Sequence, residues 1–281
     1  MIVINLQGGF GNQMFQYAFG YSQSKILNTF FVVDSYQTFI LPEYFNIGVL
    51  NLSCLNKIKC IQKTRRTVTR RIKARCNIDF TDCSLVKEVL PVKNSSYYVG
   101  YFQSISFFEE NENKIKKLFN IKNSYIQKFK KKYEPDFHHN KTLVIHIRRT
   151  DYLNHGKDKN LGNDDLSLPM SYYRNCLDKI DNLANYRILV IGDDMAFIQN
   201  NFSDLPNVSF EHNELIVDFQ LLKNADVAII SNSTFAWWAV YLNEKVNKRV
   251  LAPRYFLGFH INEEFPIEIS YKLPYEWINV L

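Results

Sequence analysis

From residue 143 onward, short apolar runs alternate with amphipathic stretches. This rhythm constrains the fold more than any other feature of the chain. The runs at 143–147, 187–191, 208–210, 227–230 and 250–252 have strand length and are rich in β-branched residues. Helix-like segments lie between them at 169–180, 195–201, 215–223 and 235–242. Strands and helices alternating at these lengths predict a parallel sheet covered on both faces.

The run at 143–147 ends in a charged cluster of His146, Arg148, Arg149 and Asp151. Ligands of parallel α/β sheets bind beyond the carboxyl ends of the strands. Two guanidiniums at such an edge need an anion, and arginine grips phosphate with paired hydrogen bonds. The edge therefore reads as a site for a phosphorylated ligand. Strand alternation turns Arg149 away from Arg148, toward Asp151 or the core.

Three further clusters stand at strand ends or on a helix. Ser231, Asn232, Ser233 and Thr234 lie where a strand turns into a helix. Their hydroxyls, an amide and free main-chain N–H groups form a phosphate cradle without lysine, whereas a helix cap requires only one such residue. Gly192-Asp193-Asp194 suits either a divalent cation or a helix cap. No histidine cluster accompanies it and the arginines already supply positive charge, so no metal is expected. Asp218 sits in an otherwise apolar helix, and its carboxylate can accept two hydrogen bonds from a guanine edge.

The first half opens with a strand at 2–6, a turn containing Gly8, Gly9 and Gly11, and a helix with the apolar stripe Met14, Phe15, Tyr17, Ala18 and Tyr21. A second strand follows at 30–34, ending in Asp34. Gly9-x-Gly11 with Asp34 imitates a dinucleotide-binding fingerprint, but Met14 occupies the third glycine position. A nicotinamide-dependent oxidoreductase is one alternative reading, and a non-catalytic nucleotide-sugar-binding protein another. Asn12 is a polar contact that such a fingerprint does not require, or else it caps the helix. A strand at 97–104 and a helix over 107–119 follow. The lysine-rich polar segment at 120–141 marks the boundary between an N-terminal domain, 1–138, and a C-terminal domain, 139–281.

Bulk composition narrows the class. A net charge of +6 suits an anionic ligand or an acidic membrane and does not call for nucleic acid. Residues 57–75 hold nine basic and no acidic side chains. The stretch reads as a solvated face, or more sharply as a contact with an anionic membrane. Five cysteines, with no C-x-x-C pair, predict free thiols in a reducing compartment. The first residues lack a basic leader and no run approaches membrane-spanning length, so the expected location is cytoplasmic, with membrane association through 57–75 left open.

Three motifs then combine. They are Gly9-Phe10-Gly11-Asn12-Gln13-Met14-Phe15-Gln16-Tyr17-Ala18, the edge His146-Ile147-Arg148-Arg149-Thr150-Asp151-Tyr152, and Ser231-Asn232-Ser233-Thr234-Phe235-Ala236-Trp237-Trp238-Ala239. In this order, and across nearly the whole chain, they resemble the bacterial α-1,2-fucosyltransferases of glycosyltransferase family 11. The resemblance implies an α/β GT-B architecture, two Rossmann-like domains facing a cleft, with the acceptor on the N-terminal side. It implies GDP-fucose as donor, the 2-hydroxyl of a terminal galactose as acceptor, inversion at the anomeric carbon, and no metal or other cofactor. It further implies that Arg148 holds the pyrophosphate and stabilises departing GDP, and that Arg149 and Asp151 support the site. His146 and Asp218 would contact the guanosine, and the Ser231-to-Thr234 turn, through Ser233 and Thr234, the phosphates. Asn12 would reach the cleft from the N-terminal domain as a second catalytic residue beside Arg148. Thr150 and Val240 stand where many members have glycine and alanine. No catalytic base is singled out, and a departing phosphate oxygen that takes the acceptor's proton remains an option.

Overall fold

A computed structural model describes residues 1–35, 38–48, 51, 77–80, 94–157, 159–265 and 273–281. The chain divides into two compact units, one on Met1–Lys122, the other on Asn123–Pro266 and Ser270–Leu281. The basic stretch 57–75 lies outside the described residues.

The first unit holds β1 (Ile2–Leu6), α1 (Phe10–Ile26), β2 (Phe31–Ser35), α2 (Leu41–Tyr44), β3 (Asn77–Phe80), β4 (Tyr97–Gly100) and α3 (Glu112–Leu118). Its sheet runs β2-β1-β4-β3, and every pairing is parallel. The helix expected over 107–119 is shorter. Two single 3₁₀ turns, Ile105–Phe107 and Glu109–Asn111, precede α3. Ser104 caps the first by accepting from the Ser106 N–H, so the chain turns before it can run as one helix.

The second unit holds α4 (Asn123–His139), β5 (Lys141–Ile147), α5 (Met170–Leu177), β6 (Tyr186–Gly192), α6 (Met195–Phe202), β7 (Val208–Glu211), α7 (Leu215–Lys223), β8 (Val227–Ile229), α8 (Thr234–Tyr241), β9 (Arg249–Pro253) and β10 (Glu276–Ile278). All its strands are parallel, in the order β10-β9-β8-β5-β6-β7. Numbered within the unit this is the doubly wound order 3-2-1-4-5-6, and its topological switch point lies between β5 and β8.

The division falls after Lys122 rather than after residue 138. The lysine-rich segment that reads as a linker is the helix α4. Its Phe129 and Tyr133 are buried, and it packs on α7 and β5. The lysines occupy its outer face, where their stems can cover apolar surface while the charges stay in water.

Alternation along β5 builds the core and aims the site together. Leu143, Ile145 and Ile147 pack with Tyr172, Tyr173, Ile198 and Phe202 of α5 and α6. His146 points to the other face, with its ring 5.5 Å from that of Phe235. At Gly192, where β6 runs beside the end of β5, a Cβ would stand 2.5 Å from the Ile147 carbonyl oxygen. Only glycine allows this close approach.

Candidate active site

The carboxyl ends of β5, β6, β7 and β8 form one polar edge. Arg148 and Arg149 follow β5, Asp193 and Asp194 follow β6, Glu211 closes β7, and Ser231 to Thr234 follow β8. Because β5 and β8 are neighbours, the arginines and the Ser231 turn flank the switch point.

The two arginines part company, as strand alternation requires, but their partners differ from those expected. Arg148 Nη2 donates to Asp151 Oδ2 at 2.6 Å, and its Nη1 lies 3.3 Å from Asp193 Oδ2. Its guanidinium carbon stands 5.7 Å from the centre of the Tyr152 ring. Arg149 turns to the α6 face. There its Nε lies 3.2 Å from Asp194 Oδ2 and its guanidinium carbon 4.3 Å from the Phe197 ring centre. The support expected of Asp151 therefore goes to Arg148, and Asp194 takes its place at Arg149. The physical cause is a tight turn, in which the Tyr152 N–H donates to the Arg149 carbonyl and swings Asp151 back under Arg148.

Asp193 is the hub of this turn. It accepts from the main-chain N–H of Arg149 at 2.9 Å, from that of Thr150 at 3.3 Å and from the Thr150 hydroxyl at 2.7 Å. Thr150 is thus used: its hydroxyl ties the turn to the end of β6. Asp194 caps α6 by accepting from the Phe197 N–H at 3.0 Å. Both carboxylates of Gly192-Asp193-Asp194 are engaged with the arginine turn. Among the described residues, no group of three or more His, Cys, Asp or Glu side chains is placed to hold a metal.

His146 is buried, with its Nδ1 2.8 Å from Ser231 Oγ. Burial, reinforced by the nearby Arg148 charge, pushes its imidazole down to about 3. The ring is therefore neutral near pH 7 and acts through hydrogen bonds. Asn232 is also buried. Its side-chain Nδ2 donates to the Leu166 carbonyl at 2.8 Å, and its main-chain carbonyl accepts from the Tyr152 hydroxyl at 3.0 Å. Of the four-residue turn, Ser231 and Asn232 thus brace His146 and the loop behind the edge. Ser233 and Thr234 occupy the first positions of α8, where main-chain N–H groups and the helix dipole favour an anion. Trp237 and Trp238 are core residues; Trp237 stacks on Tyr241 and Trp238 meets the same ring edge-on.

Asp218 stands in the first turn of α7 and accepts from Asn213 Nδ2 at 2.8 Å. Burial pushes its carboxyl up to about 6, and the hydrogen bond from Asn213 opposes that rise.

In the first unit the glycine turn is held by glutamines. Gln13 Nε2 donates to the Gly8 and Thr38 carbonyls at 3.3 and 3.0 Å, and Gln16 Nε2 to the Gly100 carbonyl at 2.9 Å. Asn12 does not cap α1: the cap position is Gly9, and no side chain closes it. Asn12 Oδ1 instead accepts from Gln103 Nε2 at 2.8 Å, and its Nδ2 leaves no room for a Cβ at Gly8, whose φ is +75°. Asp34 is fully buried and accepts from the Tyr97 hydroxyl at 3.0 Å, so the residue that would bind a ribose in a dinucleotide fingerprint belongs to the core. Among the described residues, no helix is long and apolar enough to cross a membrane.

Sequence reading missed three contributors: Asp193 as hub, Tyr152 as brace and Asn213 as the partner of Asp218. Asp193 was visible only as half of an acidic pair.

Comparison with known proteins agrees with this architecture. The chain is 27% identical to the O-antigen biosynthesis glycosyltransferase WbnK of Escherichia coli, covering 90% of this chain and 94% of that one. It is 28% identical to an α-1,2-colitosyltransferase of Escherichia coli, covering 86% and 87%. A putative galactoside 2-α-L-fucosyltransferase of Caenorhabditis elegans is 27% identical, covering 95% and 75%. Among solved structures, the NodZ α-1,6-fucosyltransferase soaked with GDP-fucose superposes with a TM-score of 0.53 at 14% identity, covering 86% of this chain and 91% of that one. That likeness establishes the shared two-unit α/β fold of GT-B type. The sequence model described as Glycosyl transferase family 11 matches residues 1–265, and the chain belongs to that family.

Proposed function

We propose that the protein transfers L-fucose from GDP-fucose to the 2-hydroxyl of a terminal galactose in an oligosaccharide or lipid-linked glycan, with inversion and without a metal. The observation that carries this reading is the placement of Arg148 at the switch point of a doubly wound sheet, braced by Asp151 and Asp193. In fucosyl transfer, negative charge builds on the departing diphosphate while the sugar becomes cation-like. A guanidinium already fixed at that point meets the developing charge without reorganisation. Ser233, Thr234 and the start of α8 contribute N–H and O–H donors to the same phosphates. The neutral His146 and the carboxylate of Asp218 meet the guanosine. Arg149, held by Asp194 and Phe197, supports the turn and does not touch the donor. Asn12 serves the acceptor side. The 57–75 stretch is the candidate contact with an anionic membrane when the acceptor is lipid-linked.

The test is GDP release from GDP-fucose with lactose or lacto-N-biose, with and without EDTA, and NMR assignment of the product linkage. The expected result is an α-1,2 product formed equally well in EDTA. Absence of GDP release with every galactoside tried refutes the acceptor class. The similarity to an α-1,2-colitosyltransferase supports one second reading, a 3-deoxy form of the same sugar on the same nucleotide. Competition between the two nucleotide sugars separates the readings.

A further inference from the structure

Asn213, in the turn between β7 and α7, sits inside a polar relay that the reaction as proposed does not use. Its Oδ1 accepts from Lys132 Nζ at 2.8 Å and lies 3.0 Å from the Tyr133 hydroxyl. Its Nδ2 donates to Asp218 Oδ1 at 2.8 Å. An ammonium has donors only, so Lys132 can face only the amide oxygen, and the NH₂ must then face Asp218. The amide's orientation is therefore dictated by chemistry. Glu211 completes the relay: its Oε2 accepts from Lys132 Nζ at 2.9 Å and from the Tyr133 hydroxyl at 2.5 Å. Burial alone would push the Glu211 carboxyl up. The bonds from Tyr133 and Lys132 outweigh that and hold it below the ordinary glutamate value.

We propose that Asn213 is a positioning residue for recognition of the donor base. Held one way round by Lys132 and Tyr133 of α4, it fixes Asp218 as a charged acceptor for a base edge bearing two adjacent N–H donors. This inference rests on the reading that Asp218 meets the base. A guanine edge offers N1–H and the exocyclic amine, and a carboxylate accepts both in parallel. Without the amide N–H, the half-buried carboxyl loses a hydrogen bond to its charged form and takes up a proton more readily. The base is then read less tightly and only at higher pH. The relay also gives α4 a function that its exposed lysines conceal, since Lys132 and Tyr133 reach across to the β7–α7 turn.

The experiment is calorimetric titration with GDP and with inosine diphosphate, which lacks the exocyclic amine, on Asn213→Ser, Lys132→Met and Asp218→Ala, alongside donor KM and kcat over pH 5–9. Asn213→Ser is expected to bind GDP about tenfold more weakly. Its KM is expected to rise while kcat at saturation changes little, its GDP-over-inosine preference to shrink, and the pH below which affinity falls to move upward. Lys132→Met changes only an exposed side chain. It is expected to show the same pattern at about threefold, so the proposal stays testable if Asn213→Ser does not fold. Unchanged affinity, preference and pH profile in the folded variants, with Asp218→Ala impaired, overturns the role of Asn213 alone. Unchanged GDP binding in Asp218→Ala overturns the base contact on which the proposal rests.

Discussion

Arg148 Nη2 donates to Asp151 Oδ2 at 2.6 Å, across one tight turn of chain. The same guanidinium reaches Asp193, 45 residues further on, at 3.3 Å. The two carboxylates do different jobs. Asp151 is about half exposed, whereas Asp193 is mostly covered and holds two main-chain N–H groups and a hydroxyl. Asp193→Ala leaves those donors without an acceptor, and is expected to cost ~2 kcal/mol in stability. Asp151→Ala breaks a surface ion pair and is expected to cost under about 0.5 kcal/mol. Urea denaturation of both variants makes the comparison, and equal costs contradict the assignment of Asp193 as hub.

Burial of Asp218 makes stability depend on pH. Its carboxyl is raised from 3.8 to about 6 by burial, so the folded chain holds the proton more tightly than the unfolded one. The stabilisation from that protonated form is complete below the unfolded value and is lost as pH rises through about 6. Asp218→Asn is therefore expected to melt higher at pH 8, by on the order of 2 kcal/mol, with the advantage fading toward pH 4. Under the proposed base contact the same variant is expected to bind GDP more weakly. Melting curves at the two pH values check the sign, and a variant that is less stable at pH 8 contradicts it.

His146 works in the opposite sense. Its ring is depressed to about 3 by burial and by the Arg148 charge, so the unfolded chain gains a proton that the folded chain refuses. Stability is present above the unfolded value and is lost as pH falls from about 6.5 toward 3, at up to ~1.4 kcal/mol per pH unit. Nitrogen NMR of the imidazole is expected to show a neutral ring at pH 5. A protonated ring there contradicts the account and would make His146 a charged partner of the donor.

Much of the fold was legible because its signals are local. Runs such as 143–147 and 227–230 have strand length and composition, and their alternation with helical segments dictates a parallel sheet. The sheet then places Arg148 and Ser233 at one edge, whatever the details of the loops. What could not be read depends on contacts between distant positions. Asp193 meets Arg149 and Thr150 from 44 and 43 residues away, and Asn213 meets Lys132 and Tyr133 across 81 and 80. No spacing rule encodes such pairs. The α4 segment misled for a different reason: its four lysines crowd into residues 128–132 and Pro135 follows them, so a helix anchored by Phe129 and Tyr133 looks like a linker. The Ser231 turn looked uniform, but its contacts divide it: Ser231 meets His146, Asn232 meets the Leu166 carbonyl, and Ser233 and Thr234 begin the helix.

The proposed reaction assigns stabilisation of the departing nucleotide to Arg148 and not to its neighbour Arg149. Steady-state GDP release with GDP-fucose and a galactoside acceptor, measured for Arg148→Ala and Arg149→Ala at matched folded concentration, tests it directly. Arg148→Ala is expected to lower kcat by ~10²–10³ with an unchanged melting temperature. Arg149→Ala, stripped of its contacts to Asp194 and Phe197, is expected to melt lower and to keep most of its turnover once folded. Equal turnover by Arg148→Ala and the parent enzyme, or the reverse pattern between the two arginines, contradicts the account.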